Sequence, residues 1–242
     1  MEISKGIEGL FCRVAKAFIV TVILVTSPAL QAGSDPYESL NRNIFAFNEF
    51  VDKWLLKPVA KGYRAITPGF VDDGVSNMFD NLSEVGNLLN AGLQGDFRHM
   101  SIATGRLLIN STIGLGGLID VASDNGLPQR EEDFGQTLGV WGLESGPYIV
   151  LPFLGSSSLR DAPARLVDWY TSPIAYLDDT AVANSLRLLD IVDARADLFD
   201  AEALISGDRY SFIREVYLQQ RQFSVNNGQL EDDFDAFEDD DF

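Results

Sequence analysis

Between Phe134 and Gly155 the chain reads FGQTLGVWGLESGPYIVLPFLG, an apolar, glycine-rich stretch interrupted by Pro147 and Pro152. Gly135, Gly139, Gly142 and Gly146 argue against helix there, because each exposes backbone and adds chain entropy that folding must remove. Val140-Trp141 and Tyr148-Ile149-Val150-Leu151 favour extended structure, and Leu143-Glu144-Ser145-Gly146-Pro147 supplies turn chemistry between them. The segment reads as a short, mobile, apolar hairpin inside an otherwise helical chain. Two uses are open to it. It can be a ribbon that only fills core, or a lid or binding loop, a common role for long apolar loops in compact domains.

Helical patterns flank this stretch on both sides. Asp35-Pro36-Tyr37-Glu38 is a helix start, with a helix expected to about Leu56 and an apolar stripe of Ile44, Phe47, Val51 and Trp54, with Phe50 and Leu55 beside it. Asn41, Asn43 and Asn48 are poor helix formers that either satisfy neighbouring backbone or line a polar face. Shorter helices are expected over Pro58–Ile66, Phe70–Asn81 and Glu84–Leu93, the last nearly uncharged after Glu84. Asp96 can cap a helix ending near Asn110. Beyond the central stretch, helices are expected over Asp161–Tyr170, Asp179–Phe199 and Asp208–Phe223. No repeat and no internal boundary stands out, so residues 33–228 read as one all-α domain.

The two ends read differently. Residues 1–32 have a basic start, the apolar run Ala17–Val25 and a small residue at Ala32, the pattern of a secretory signal peptide. Cys12 is the single cysteine and lies before that run, so neither a disulfide nor a lipid-bearing cysteine is expected after cleavage. Without residues 1–32 the chain carries 15 basic and 34 acidic side chains, a net of −19, and eight of the acids sit in the tail at 229–242. The body keeps about −11, which argues against nucleic acid and against simple attraction to anionic lipid surfaces. The tail is expected to be disordered.

Catalytic chemistry is thinly represented. His99 is the only histidine, at a helix start, and no Gly-x-Ser-x-Gly elbow is present. Ile113-Gly114-Leu115-Gly116-Gly117 lacks both the Gly-Lys-Ser/Thr of a phosphate loop and the full dinucleotide fingerprint, so close packing or a turn explains it. Asp72-Asp73 and Asp178-Asp179 suit a solvated face or a cap better than acid–base work. No metal and no cofactor is expected.

Several ordered blocks together resemble the VacJ/MlaA family. They include Asp35 to Arg42, Phe45 to Asn48, Lys57-Pro58-Val59-Ala60, Arg106 to Asn110 and Gly114 to Ala122. Phe134 to Gly139, Gly146-Pro147-Tyr148, Leu151 to Gly155 and Arg209 to Tyr217 continue the likeness, which covers about Asp35 to Gly228. The resemblance implies a ring of helices in the inner leaflet of a Gram-negative outer membrane. It implies an amphipathic channel that takes misplaced phospholipid from the outer leaflet and so maintains lipid asymmetry. A porin trimer would hold the ring, and a periplasmic carrier would pass the lipid to an inner-membrane ABC transporter. No enzyme activity is implied.

Carried over by position, the gating hairpin would comprise Gly135, Gly139, Trp141, Gly142, Gly146, Pro147, Tyr148, Pro152 and Gly155. Membrane-embedded or channel positions would be Asn43, Phe47, Phe50, Val51, Trp54, Leu88, Leu89 and Leu93. The missing lipidation cysteine departs from the family pattern and leaves attachment to the apolar helices. Two other readings are weighed. A peripheral periplasmic adaptor would recruit lipid-transport partners without conducting lipid, and a lipid hydrolase would depend on Ser145 or His99.

Overall fold

The computed structural model describes residues 35–202, 205 and 207–228; the expectations for 1–32 and 229–242 fall outside the described residues. The chain divides into Met1–Pro36 and Tyr37–Phe242, and every element below belongs to the second unit.

Helix α1 (Glu38–Val51) passes through a π-helical turn, Asp52–Leu56, directly into α2 (Lys57–Ile66). The expected break before Pro58 is absent. Proline there offers no N–H to the carbonyl of Trp54 and crowds it. The wider turn, in which the Lys57 N–H reaches back to the carbonyl of Asp52, absorbs the misfit. Thr67, ahead of Pro68, is extended and stops the helix.

Helix α3 (Gly69–Gln94) is a single helix of 26 residues, where two short ones were expected. Asn81, a position that reads as a break, donates its side-chain amide to Ser111 Oγ at 3.0 Å and so does not compete for its own backbone. Left-handed Gly95 ends α3, and Asp96 caps α4 (Phe97–Thr112) by accepting from the His99 N–H at 3.0 Å. The glycine cluster at 113–117 is the expected turn, leading to the short α5 (Val121–Asp124).

The central stretch departs most from expectation. Phe134–Val140 is helix α6, and the hairpin is displaced toward the C-terminus, with β1 (Tyr148–Leu151) antiparallel to β2 (Gly155–Ser158). Val140-Trp141 is therefore a helix end and not a strand. Asp133 caps α6 by accepting from Gln136 N–H at 2.8 Å. The two glycines inside it are required by packing. A methyl on Gly135 would lie 2.5 Å from Asp161 Oδ1, and one on Gly139 would lie 2.7 Å from a Val225 methyl. Tertiary contact overrides helix propensity here.

Helix α7 (Asp161–Thr171), a 3-10 turn at Pro173–Tyr176, α8 (Thr180–Glu202) and α9 (Arg209–Val225) complete the fold. Contacts close a circuit: α2 on α8, α8 on α3, α3 on α6, α6 on α9, α9 on β2, and β1 on α1. This is an all-α ring with one small hairpin. Among the described residues, buried apolar side chains form two small clusters, Phe79/Ile174/Ala183 and Tyr148/Val150/Tyr210.

Candidate functional site

Burial in this ring is inverted. The largest fully buried side chains are polar: Arg106, Glu84, Asn41, Thr137, Ser157 and Ser158. Buried hydrophobics are mostly alanines, while Ile66, Phe70 and Trp54 are 83%, 79% and 66% exposed. A water-soluble body of this size would do the reverse, and an outward apolar surface marks an interaction with something equally apolar.

Helix α3 makes the inversion legible residue by residue. Asn81, Glu84, Asn87 and Asn90 recur at three-residue spacing and are buried, while Leu89 and Leu93 point out. Most of their polar atoms are satisfied by neighbouring elements, although Asn81 Oδ1 is buried with no hydrogen-bond partner among the described residues. Glu84 accepts from Arg106 Nε, and Arg106 also donates to Ser123 Oγ at 2.8 Å, the carbonyl of Leu127 at 2.7 Å and Asp120 at 3.1 Å. Asn87 accepts from the Glu132 N–H at 2.9 Å, and Asn90 accepts from Thr137 Oγ1 at 2.9 Å. Buried polar groups bonded this extensively favour one packing, because any slip strands several of them.

Inside the circuit lies a cavity of about 550 Å³ walled by α3, residues 131–133, α7, α8 and α9. Asp80, Glu132, Asp168 and Asp190 face it together with Arg165 and Arg221, while Phe79, Leu82 and Ile174 give it an apolar portion. Arg221 binds Asp133 and, at 2.7 Å, Asp161, which also accepts from Tyr217 at 2.7 Å. Burial works to raise Asp161, but Arg221 and Arg160 hold it well below the usual carboxylate range. Asp168 goes the other way: burial, reinforced by Asp133, pushes it up to about 6 although it accepts from the Phe134 N–H at 2.9 Å. Burial also raises Asp80 and Asp190. The cavity thus offers fixed charge of both signs beside apolar wall, the lining suited to an amphipathic guest.

The hairpin is held at both edges. From α1, Asn41 donates to the carbonyl of Tyr148 at 3.0 Å and accepts from the Val150 N–H at 2.9 Å. Asn48 repeats this on the carbonyl of Leu151 at 2.9 Å and the N–H of Phe153 at 2.8 Å. From α7, the cavity-lining Arg165 donates to the carbonyls of Leu154 and Ser156 at 3.0 and 2.7 Å. At the tip, Phe153 adopts a left-handed φ of 64°, is 72% exposed and meets the Phe47 ring at 5.2 Å.

The positions singled out from sequence separate into groups. Gly135 and Gly139 are packing glycines within α6. Trp141 caps that helix from an exposed position, donating its indole N–H to the carbonyl of Leu93 at 3.1 Å. Gly142, Gly146 and Gly155 have left-handed φ; Tyr148 is buried in β1, with Pro147 just before it and Pro152 in the turn. Asn43, Phe47, Phe50, Trp54, Leu89 and Leu93 are exposed on the outer surface, Val51 and Leu88 are half-buried, and none of the eight lines the central cavity. The cavity residues themselves escaped sequence reasoning. The nearest signal was the Asn-x-x-Glu-x-x-Asn-x-x-Asn spacing from 81 to 90, a polar helical face opposite leucines, of which only Asn87 lines the cavity. His99 sits against Asp96 and Arg130 in the α3–α4 corner, and Asp179 caps α8 by accepting from Ala181 N–H at 2.8 Å.

Comparison with known proteins places this arrangement. The family model described as "MlaA lipoprotein" matches residues 33–224. The Escherichia coli (strain K12) protein named "Intermembrane phospholipid transport system lipoprotein MlaA" is 36% identical over 206 residues, 83% of this chain and 82% of that one. An uncharacterized protein of Rickettsia felis is 41% identical over 195 residues, 79% of this chain and 78% of its own length. A solved structure described as "Structural basis for maintenance of bacterial outer membrane lipid asymmetry" superposes with a TM-score of 0.70 at 37% identity, covering 80% of this chain and 100% of that one. In sequence along nearly its whole described length, and in fold, the chain belongs to the MlaA family.

Proposed function

We propose that this protein transports phospholipid without chemical change, removing mislocalised lipid from the outer leaflet of the outer membrane and passing it toward the periplasm. The observation that carries the reading is the inverted burial: a polar, charged cavity inside a shell of exposed Phe, Trp, Leu and Ile. Taking a charged headgroup through hydrocarbon is prohibitive unless fixed dipoles and charges replace its water, and the cavity wall supplies both. No helix among the described residues is long and apolar enough to cross a membrane. In this proposal the helices lie in the inner leaflet, each with its apolar stripe toward acyl chains and its backbone satisfied internally. The apolar shell then gives the fold its own hold on the bilayer. A porin trimer steadies the ring, and a soluble periplasmic carrier feeding an inner-membrane ABC transporter accepts the lipid.

The hairpin is the gate of this reading. Its exposed tip rests on α1 through Phe47, and its strand edges are tied to α1 and to cavity-lining Arg165. Movement of the tip would therefore be felt at the cavity wall. The test is a disulfide between cysteines replacing Asn48 and Phe153, in a Gram-negative host relying on this protein. Outer-leaflet phospholipid, read by its accessibility to added phospholipase, should rise when the pair is oxidised and fall when it is reduced. Equal levels in both states, with the crosslink verified, would sink the gate. Release of the native protein from outer membranes by salt alone would replace the channel with the adaptor reading.

A further inference from the structure

The outer flank of α1–α2 carries a second concavity, a groove of about 740 Å³ whose lining includes Phe50, Trp54, Lys53, Lys57, Lys61 and Arg209. From this groove we infer a docking site for the phosphate of an anionic phospholipid in the bilayer surface, separate from the central cavity.

The argument begins with spacing. Lys53, Lys57 and Lys61 recur every fourth residue along one helix, beside an exposed apolar row of Trp54, Leu55 and Val59. The π-helical turn spans Asp52–Leu56, within this register. The same turn carries Trp54 outward, with the Lys53 ammonium 5.7 Å from its ring centre. A tryptophan beside lysines that can extend along apolar surface is the arrangement that settles at the headgroup level of a bilayer.

Charge then selects the occupant. The described body is strongly acidic, yet this groove gathers four cations against Glu49, Asp52 and Glu202. Those carboxylates are already engaged: Glu202 by Lys57 at 2.9 Å and Arg209 at 3.0 Å, Asp52 by Arg195 at 2.7 Å, and Glu49 by Arg209 at 3.3 Å. Lys53 and Lys61 are exposed and form no ion pair among the described residues, which leaves two cations to meet a phosphate. Acidity of the whole chain opposes general attraction to an anionic surface, so the preference must be local and built from these two lysines. It does not depend on lipid passing through the central cavity, and either reading can fail while the other stands.

The test is flotation of the full chain with phosphatidylcholine vesicles, with and without phosphatidylglycerol. The native protein should prefer the anionic vesicles, and K53Q/K61Q should lose about thirtyfold of that binding at low salt, about fivefold for each lysine near the surface. Binding of K53Q/K61Q to neutral vesicles should not change, and K53R/K61R should restore the preference. Both lysines are exposed, so an unchanged circular-dichroism melt is the expected control. Native binding that ignores phosphatidylglycerol, or a double variant that keeps the preference, overturns the proposal. So does complete loss of the preference on adding soluble glycerol 3-phosphate, which would make a free phosphate the ligand instead of a bilayer lipid.

Discussion

Asn41 and Asn48 stand two turns apart on α1 and grip the hairpin by the same two-bond device, each donating to one backbone carbonyl and accepting from one backbone N–H. Asn41 is buried, so Asn41→Ala would strand a carbonyl and an N–H, at about 1–3 kcal/mol for each group. Asn48→Ala, at a half-buried position that water can reach, should cost about 1 kcal/mol. Chemical denaturation should rank them in that order, and hydrogen exchange should speed at Val150 in the first and Phe153 in the second.

The glycines of α6 make an opposed pair with Gly62 of α2. Gly135→Ala or Gly139→Ala ought to help a helix by propensity, yet both would press into Asp161, Arg160 or Val225 and should destabilise by about 1–3 kcal/mol. Nothing lies within 4 Å of a methyl at Gly62, so Gly62→Ala should stabilise by about 0.5–1 kcal/mol. Melting curves under one detergent condition would separate the two signs.

Asp168 gives the cavity a pH dependence. Its folded pKa of about 6 lies above its ordinary 3.8, so the folded state binds the proton more tightly than the unfolded one. Its contribution to stability is therefore fully present below about pH 4 and lost as pH rises through about 6. Asp168→Asn, which can still accept from Phe134 N–H, should remove that loss and gain at most about 3 kcal/mol at pH 7. The difference between the two melts, followed from pH 4 to 7, should grow with pH. A difference that stayed flat would mean that Asp168 is not buried as described.

Glu202 behaves oppositely. Burial alone would raise it, but bonds from Lys57, Arg209 and Arg195 bring it down to about 2 from 4.5. That stability is present above about pH 4.5 and lost as pH falls toward 2. Glu202→Gln should cost up to about 3 kcal/mol at pH 7, and the gap from the native protein should close on acidification.

How far the sequence speaks can be followed at individual residues. Asp96, Thr67-Pro68 and the later helix starts act through local bonding, and they stand within a residue or two of where local rules put them. Gly135 and Gly139 mislead, because their reasons arrive from elsewhere in the chain: Asp161 and Arg221 for the first, Arg160 and Val225 for the second. Asn41 and Asn48 do satisfy backbone, but that of a strand about a hundred residues away and not of their neighbours. The cavity was invisible for the same cause: Asp80, Asp168 and Arg221 meet only after the ring has closed.

The inverted burial also governs how this protein should respond to temperature. Ordinary domains expose apolar surface on unfolding, and the resulting rise in heat capacity bends their stability into a dome that fails in the cold as well as the heat. In the proposed membrane setting, detergent or lipid covers the outer apolar side chains before and after unfolding, and the newly hydrated interior combines a small apolar part with amide, carboxylate and guanidinium groups. Polar exposure lowers heat capacity, so the two contributions nearly cancel. Calorimetry in micelles should find a small heat-capacity change for the chain's size, and a stability that declines almost linearly with warming, with no optimum near room temperature.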